Sequence, residues 1–258
     1  DGDVAFMGGR NLSDDYFDAP GSRGFRDVTV QVRGPLIADL RRVFLEDWAL
    51  ATDGELEDTD APAVRRELKP EDCGVQHGRA CARVFAIGPD ESGVNFVDVL
   101  GATLSLAERS IFIVSPYFAP GPEFLHRLRV AAQRGVQVTL LLPRRSDLRL
   151  ADLAARHFCR QLTAVGVDVR FRTERFIHAK AMIVDGSWTA FGSVNFDQRS
   201  FHLNYELNVE VYGEDFATRL RGYFETDMLA SIRLDPNQPV PWWRCMAERA
   251  AALFEPLL

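Results

Sequence analysis

Three residues of one short segment carry the reactive groups that stand out in this sequence. His178, Lys180 and Asp185 form the pattern H-x-K-x-x-x-x-D, in a chain that holds only two lysines among its 30 basic residues. If residues 177–184 form a strand, His178 and Lys180 share a face, whereas Asp185 has the opposite parity. An imidazole beside an ammonium suits attack on a phosphodiester, because the histidine can bond phosphorus while the lysine offsets charge on the non-bridging oxygens. We predict a catalytic segment in which Asp185 anchors the turn.

The beginning of the chain repeats part of this region. The pattern D-G-x5-G-x2-N occupies residues 1–11 and recurs at residues 185–195, with no gap. Each copy is followed by a polar loop, a valine-rich strand that carries an acid (Asp27 or Glu206) and a helix. Four identities in register predict a duplicated half. Asp1 is then the counterpart of the motif aspartate, and we expect the chain to begin inside the first copy of the motif.

Polar residues beside the motif are candidates for holding a phosphate. Asn195 and Ser193 offer neutral donors and an acceptor at a glycine turn. Asn11 is the first-half counterpart of Asn195. Taken alone, such a turn is usually structural, so these assignments depend on the repeat. We predict that Asn11 and Asn195 face one cleft.

An acid is also needed to orient the histidine. Glu206 lies on the polar side of its strand, and we predict that its carboxylate accepts a hydrogen bond from Nδ1 of His178, which leaves Nε2 free to attack. The alternative is a structural ion pair between Glu206 and Arg199. Asp27 is predicted at the mirror position, facing the place of the first-half histidine.

The composition is that of a globular protein, with 258 residues, 47% hydrophobic residues and a formal net charge of −7. Disorder, collagen-like repeats and a disulfide framework are therefore excluded, and the acidic balance argues against nucleic acid as a partner. No apolar run is long enough to span a membrane. Cys73, His77 and Cys81 have ligand-like spacing but lack a fourth ligand, so we predict no metal site and no cofactor.

Strand and helix patterns alternate beyond residue 80, which predicts an α/β layered fold. We divide the chain into the remainder of a first half at 1–51, an acidic linker at 52–80, a second half with the motif at 81–232 and an amphipathic tail at 233–258. One stripe of the tail is apolar, and it either meets lipid headgroups or packs on the domain. The stripe consists of Trp242, Met246, Ala250, Leu253 and Leu257.

With its motif and repeat, the sequence resembles the phospholipase D superfamily, whose members carry one H-x-K-x4-D motif in each half, and it is most similar to bacterial cardiolipin synthases. The similarity covers nearly the whole chain outside the linker. Further segments that carry it are Gly8–Asn11, Asp15–Phe17, Phe25–Asp27, Pro116–Pro120, Ala132–Val136, Gly192–Ser200 and Asn204–Glu206. The chain departs from the family pattern at its beginning, where the N-terminal membrane helices and the first histidine and lysine are absent.

The resemblance implies a phospholipase D-like fold of two pseudo-symmetric halves around central sheets, the first half truncated. It also implies a phosphatidyltransferase that joins two phosphatidylglycerol molecules through a phosphohistidine without a metal, at the surface of a bacterial cell membrane. The alternatives are a phosphodiesterase that hydrolyses phospholipid or another phosphodiester, and a non-catalytic module that binds phosphate or membrane. A single-motif enzyme completed by homodimerisation is a third, disfavoured because residues 1–48 look like part of a fused first half.

Overall fold

The computed structural model describes residues 3–17, 20–52, 80–89 and 95–257. Asp1, Cys73, His77 and nearly all of the predicted linker lie outside these residues. The elements are, in chain order, β1 (Ala5–Gly8), β2 (Thr29–Val32), α1 (Leu36–Thr52), β3 (Cys81–Ile87), α2 (Phe96–Leu106), β4 (Ser110–Val114), β5 (Phe118–Ala119), α3 (Gly121–Gln133), β6 (Gln137–Pro143), α4 (Arg149–Thr163), β7 (Asp168–Arg172), β8 (Ala181–Val184), β9 (Trp188–Gly192), β10 (Phe196–Asp197), α5 (Gln198–His202), β11 (Glu206–Tyr212), α6 (Glu214–Tyr223), α7 (Glu225–Leu229), β12 (Ser231–Arg233) and α8 (Trp242–Ala252).

An eight-stranded mixed sheet forms the centre of residues 80–257, with its strands in the order β12-β7-β6-β4-β8-β9-β11-β3. Strands β4, β6 and β7 run parallel and are linked by α3 and α4, whereas the other pairs are antiparallel. Strands covered on both faces need continuous apolar sequence. In β4, Ile111 and Ile113 join one buried cluster, and Phe112 and Val114 join the cluster on the opposite face. This architecture confirms the predicted α/β class.

The two repeat copies have the same strand register. Gly8 pairs with Thr29 in the hairpin of β1 and β2, and Gly192 pairs with Asn208 where β9 meets β11. Each of the next three residue pairs between β1 and β2 also has a counterpart between β9 and β11. The last of these pairs joins Ala5 to Val32. We call residues 3–52, which include β1, β2 and α1, the first unit, and residues 80–257 the second unit. Their shared register supports the duplication inferred from the sequence.

The secondary structure differs from the sequence prediction at three places. The strand predicted at 177–184 begins at Ala181, and only Ile177 forms an isolated bridge before it. Strand β9 was not predicted, because its five residues are all buried and show no alternation. The residue pattern also predicts one helix over 216–231. The structure has two, α6 and α7, which meet at Phe224, and the second ends at Leu229 because residues 231–233 form the edge strand β12, which pairs with β7.

The C-terminal helix α8 packs through a face different from its apolar stripe. Glu248 and Ala251 are buried, and Arg160 on α4 donates to Glu248 at 2.8 and 3.2 Å. The predicted stripe remains exposed, with Trp242 79% accessible and Leu253 82% accessible. The alternative in which that stripe packs on the domain is therefore wrong. No helix in the described ranges is long and apolar enough to cross a membrane.

Candidate active site

The first unit is joined to the motif segment by backbone hydrogen bonds. The N–H of His178 donates to the carbonyl of Arg26 at 2.8 Å, and the N–H of Arg26 donates to the carbonyl of Phe176 at 2.8 Å. Arg26 thereby forms a parallel bridge with Ile177. This short pairing carries Asp27, the residue after Arg26, directly to the histidine.

Asp27, and not Glu206, orients His178. Its Oδ2 lies 2.8 Å from Nδ1 of the ring, and its Oδ1 accepts from the backbone N–H of Val28 at 2.7 Å. Asp27 is only 2% exposed, and each of its carboxylate oxygens has a partner. The predicted bond from His178 to Glu206 is wrong because the strand pairing with Arg26 delivers the acid of the opposite unit. A carboxylate at Nδ1 keeps the proton on that nitrogen and leaves Nε2 as the nucleophilic or basic atom.

Lys180 completes a buried charged cluster. Its Nζ donates to the carbonyl of His178 at 2.6 Å and lies 2.7 Å from Nδ1 and 2.9 Å from Nε2 of the ring. Burial lowers the pKa of Lys180 to about 8, against the opposing attraction of Asp27, Glu206 and Asp197. The ammonium is therefore the form present at neutral pH. Burial also lowers the pKa of His178, which favours the neutral ring.

Tyr16 is a member of the site that sequence reasoning did not single out. Its hydroxyl lies 3.1 Å from Nε2 of His178, and Asn11 donates its side-chain amide to the same hydroxyl at 3.2 Å. Burial, with the nearby charge of Asp27, raises the pKa of Tyr16 to about 12, so the phenol stays neutral. The sequence signal was present, since Tyr16 belongs to one of the family-like segments. Asn11 therefore contacts the site through Tyr16, and its role toward phosphate and the shared cleft with Asn195 stay predictions.

Close glycine contacts explain why both repeat copies keep a glycine beside the acid-bearing strand. A Cβ on Gly8 would lie 2.0 Å from the carbonyl oxygen of Val28, and one on Gly192 would lie 2.2 Å from that of Leu207. Val28 and Leu207 each follow the acid of their own copy. The repeat therefore matches Asp27 to Glu206 in three dimensions as well as in sequence.

Two candidates for phosphate binding, Ser193 and Asn195, belong to the second unit. The Oδ1 of Asn195 is buried without a hydrogen-bond partner in the described part of the chain. The hydroxyl of Ser193 accepts from the N–H of Leu207 at 2.9 Å and donates to its carbonyl at 3.4 Å. Ser193 therefore fixes the loop to β11. The roles of Ser193 and Asn195 toward phosphate stay predictions.

Asp185 and Glu206 each bond partners other than the histidine. Asp185 occupies a left-handed turn (φ 52°), and its carboxylate accepts from the backbone N–H groups of Glu108, Arg109 and Ser110 at 2.7–2.9 Å. These bonds are those of a turn anchor, as its parity predicted. Glu206 accepts from Asn204 at 3.2 Å, and among the described residues it makes no ion pair with Arg199.

A family model described as "Cardiolipin synthase, PLD-like domain" matches residues 100–228. The chain belongs to this family. A cardiolipin synthase of Geobacillus kaustophilus is 35% identical over 264 residues, covering 100% of this chain and 51% of the relative. That of Halalkalibacterium halodurans is 35% identical over 263 residues, with coverages of 100% and 50%. This PLD-like chain spans about half the length of the curated relatives it matches.

Solved structures share the PLD-like fold at low sequence identity. Phosphatidylserine synthase of Haemophilus influenzae superposes with a TM-score of 0.71 at 14% identity, covering 99% of this chain and 69% of that one. Nuc, a phospholipase D family member from Salmonella typhimurium, superposes with a TM-score of 0.50 at 21% identity, with coverages of 60% and 99%. These similarities confirm the fold.

Proposed function

We propose that this chain carries the catalytic centre of a cardiolipin synthase, which transfers a phosphatidyl group between two phosphatidylglycerol molecules. The observation that supports this most is the buried, neutral His178, held at Nδ1 by Asp27 at 2.8 Å with Lys180 Nζ 2.9 Å from Nε2. Relatives named cardiolipin synthase align over the whole chain, which supports the choice of substrate.

The first half of the reaction forms a phosphohistidine. Nε2 of a neutral histidine attacks phosphorus, the bond from phosphorus to the glycerol oxygen breaks, and glycerol leaves with a proton from a second histidine acting as general acid. His178 is one member of this pair. The family pattern supplies the other from an H-x-K segment expected before residue 1. Asp27 stabilises the positive charge on the ring of His178, and Lys180 stabilises the negative charge on the non-bridging oxygens.

The second half regenerates the histidine. The second histidine, now a base, removes the proton from a hydroxyl of another phosphatidylglycerol. The oxygen attacks phosphorus, the phosphorus–nitrogen bond breaks, and cardiolipin is released. Charge is neutralised throughout by residues of the chain, so the proposed chemistry requires no metal.

We propose that the reaction takes place at the surface of the bacterial membrane. Trp242 and Met246 of α8 are 79% and 56% exposed, and a tryptophan-bearing apolar stripe suits the headgroup layer.

Labelled phosphatidylglycerol in mixed micelles, incubated with the full-length protein, tests the proposal. We expect cardiolipin and glycerol, formed equally with and without EDTA. His178→Ala should lose at least about 10²- to 10⁴-fold in rate, while His126→Ala, an exposed histidine on α3, should retain it. Phosphatidic acid as the sole product would favour hydrolysis. Full activity of His178→Ala, or complete loss on chelation, would contradict the mechanism.

A further inference from the structure

Two phenylalanine rings lie beside the imidazole of His178. The Phe25 ring is nearly parallel to it, with 6.1 Å between centroids and 17° between planes, and the Phe176 ring lies 6.0 Å from it. The two phenyl rings also contact each other, with their centroids 4.7 Å apart. We call Phe25 and Phe176 the phenylalanine pair. The first unit provides one ring and the second unit provides the other.

The parallel bridge that brings Asp27 to His178 also aligns this pair. Phe25 and Phe176 are the residues directly before the two bridge partners, and Asp27 and His178 are the residues directly after them. Side chains two residues apart in extended chain share a face. Phe25 therefore lies on the same side as Asp27, and Phe176 lies on the same side as His178. One short pairing gives the histidine both its acid and its apolar neighbours.

Contacts within the first unit hold the Phe25 ring in place. The N–H of Phe25 donates to the carbonyl of Asp15 at 2.6 Å, and Oδ2 of Asp15 accepts from Arg23 at 2.6 and 2.9 Å. The guanidinium of Arg23 lies over the Phe25 ring, 4.6 Å from its centroid, in a cation–π contact. Tyr16 meets the same ring edge to face, at 5.2 Å between centroids. The position of this ring is therefore set before any ligand binds.

The phenylalanine pair covers part of the reactive ring. Phe25 and Phe176 are each half-buried, whereas the side chain of His178 is only 11% exposed. A water molecule held at such a site needs about two to four polar partners. The phenyl rings offer no hydrogen-bond donor or acceptor. Water is therefore not held on the side of His178 that these rings cover.

The exclusion of water matters because hydrolysis and transfer to a lipid share one intermediate. In hydrolysis the oxygen of water attacks phosphorus, the phosphorus–nitrogen bond breaks, and the proton of water passes to the histidine that acts as base. The product is phosphatidic acid in place of cardiolipin. Water beside His178 promotes this outcome whether that histidine carries the phosphatidyl group or acts as the base. Sites that exclude water suppress such side reactions.

We propose that the phenylalanine pair excludes water from the reaction centre at His178 and so favours transfer to a lipid hydroxyl over hydrolysis. This inference rests on the proposed function. It makes Phe25 and Phe176 specificity-determining residues, since neither side chain can accept or donate a proton. Their apolar rings also match the carbon chains of a lipid acceptor, which water lacks.

The ratio of the two products tests the proposal in the full-length protein. Labelled phosphatidylglycerol in mixed micelles gives cardiolipin by transfer and phosphatidic acid by hydrolysis, and isotope-labelled water identifies the phosphatidic acid formed by hydrolysis. The variants are Phe25→Ala and Phe176→Ala, each with the conservative change to leucine. Phe25→Gln retains side-chain volume, so it tests the same point if the alanine variant fails to fold. Phe44→Ala is the control, because that ring is 60% exposed and stacks on Trp48 of α1.

We expect each alanine variant to raise the ratio of phosphatidic acid to cardiolipin by about 10-fold or more, the discrimination that apolar contacts typically provide between competing substrates. Cardiolipin formation should fall while formation of phosphatidic acid rises. Phe25→Gln should raise the ratio as well, because its amide can hold water. The leucine variants should stay close to the wild type, since they retain most of the apolar volume. Phe44→Ala should leave the ratio unchanged.

An unchanged ratio in the folded alanine and glutamine variants would overturn the proposal, as would an equal fall in both products, which is the result of a merely structural role. In either case the wild type would still make cardiolipin, and the proposed function would stand. A wild type that makes no cardiolipin would instead contradict the proposed function, and the role of the phenylalanine pair with it. The two failures are thus distinguishable.

Discussion

The two repeat copies share a backbone register but differ in the side chains they bring to the centre. Counted from the equivalent asparagines Asn11 and Asn195, Tyr16 of the first copy corresponds to Ser200 of the second. Tyr16 contacts Nε2 of His178, whereas Ser200 is fully buried and its backbone N–H donates to Asp197 at 2.8 Å. Asp27 is 2% exposed and bonds His178, while Glu206 is half-buried and bonds Asn204. The duplication preserved the scaffold, and side chains of one copy complete the histidine of the other.

The largest expected effect distinguishes the two acids. Asp27→Asn should lower phosphatidyl transfer by about 10²- to 10⁴-fold, because an amide can stabilise the wrong tautomer of His178, as an amide does when it replaces a triad acid. Glu206→Gln should cost less, since Glu206 acts on Lys180 only at a distance. Rates from labelled phosphatidylglycerol measure both. Equal losses of rate in the two variants would show that the two acids have equivalent roles, and would contradict the difference between the copies.

The second prediction tests the shared scaffold. Gly8→Ala and Gly192→Ala should each destabilise the protein by about 1–3 kcal/mol, because each added methyl group meets a backbone carbonyl that must move. Gly222→Ala on α6 is the control, since its Cβ would meet nothing within 4 Å, and it should be neutral or slightly stabilising. Thermal unfolding measures the changes. Loss at only one of the two glycines would argue against equivalent backbones.

The third prediction concerns the charge of the second unit. The pKa of Lys180 is lowered to about 8, and the ammonium form is the one that stabilises phosphate charge. The rate should therefore be sustained below pH 8 and fall about tenfold per pH unit above it. On the acid side, the lowered pKa of His178 should keep the ring neutral below its usual range.

Lys180→Arg checks that assignment, because a guanidinium does not lose its proton in this range. The variant should have a lower rate but no decline above pH 8. A decline at the same pH in the variant would assign the alkaline limb to another group.

The smallest expected effect separates Tyr16 from Ser200. Tyr16→Phe should reduce the rate about 5- to 10-fold, the usual value of one neutral hydrogen bond, because the ring of His178 loses a partner that positions it. Ser200→Ala should leave the rate unchanged, because the backbone N–H of Ser200, which this substitution retains, bonds Asp197 and not the histidine. A rate loss in Ser200→Ala as large as that in Tyr16→Phe would show that the two positions have equivalent roles, contrary to the structure.

The strand register shows how far the repeat alone could predict the fold. β1 moved by the repeat offset falls on 189–192, within β9, yet β9 was not predicted from its own residues. Local patterns failed there because a strand buried on both faces has no alternation to detect. The internal repeat contained that information, since equivalent sequence positions adopt equivalent pairing.

By itself the sequence determined the α/β class, the duplication, and His178 and Lys180 as neighbours, because these follow from local spacing and from identity between segments. Only the tertiary structure decided that Asp27 and not Glu206 orients His178. Asp27 and His178 are 151 residues apart, and their contact depends on the bridge between Arg26 and Ile177. The choice between two acids of similar chemistry is a matter of how the two units dock, and no periodicity within either unit encodes it.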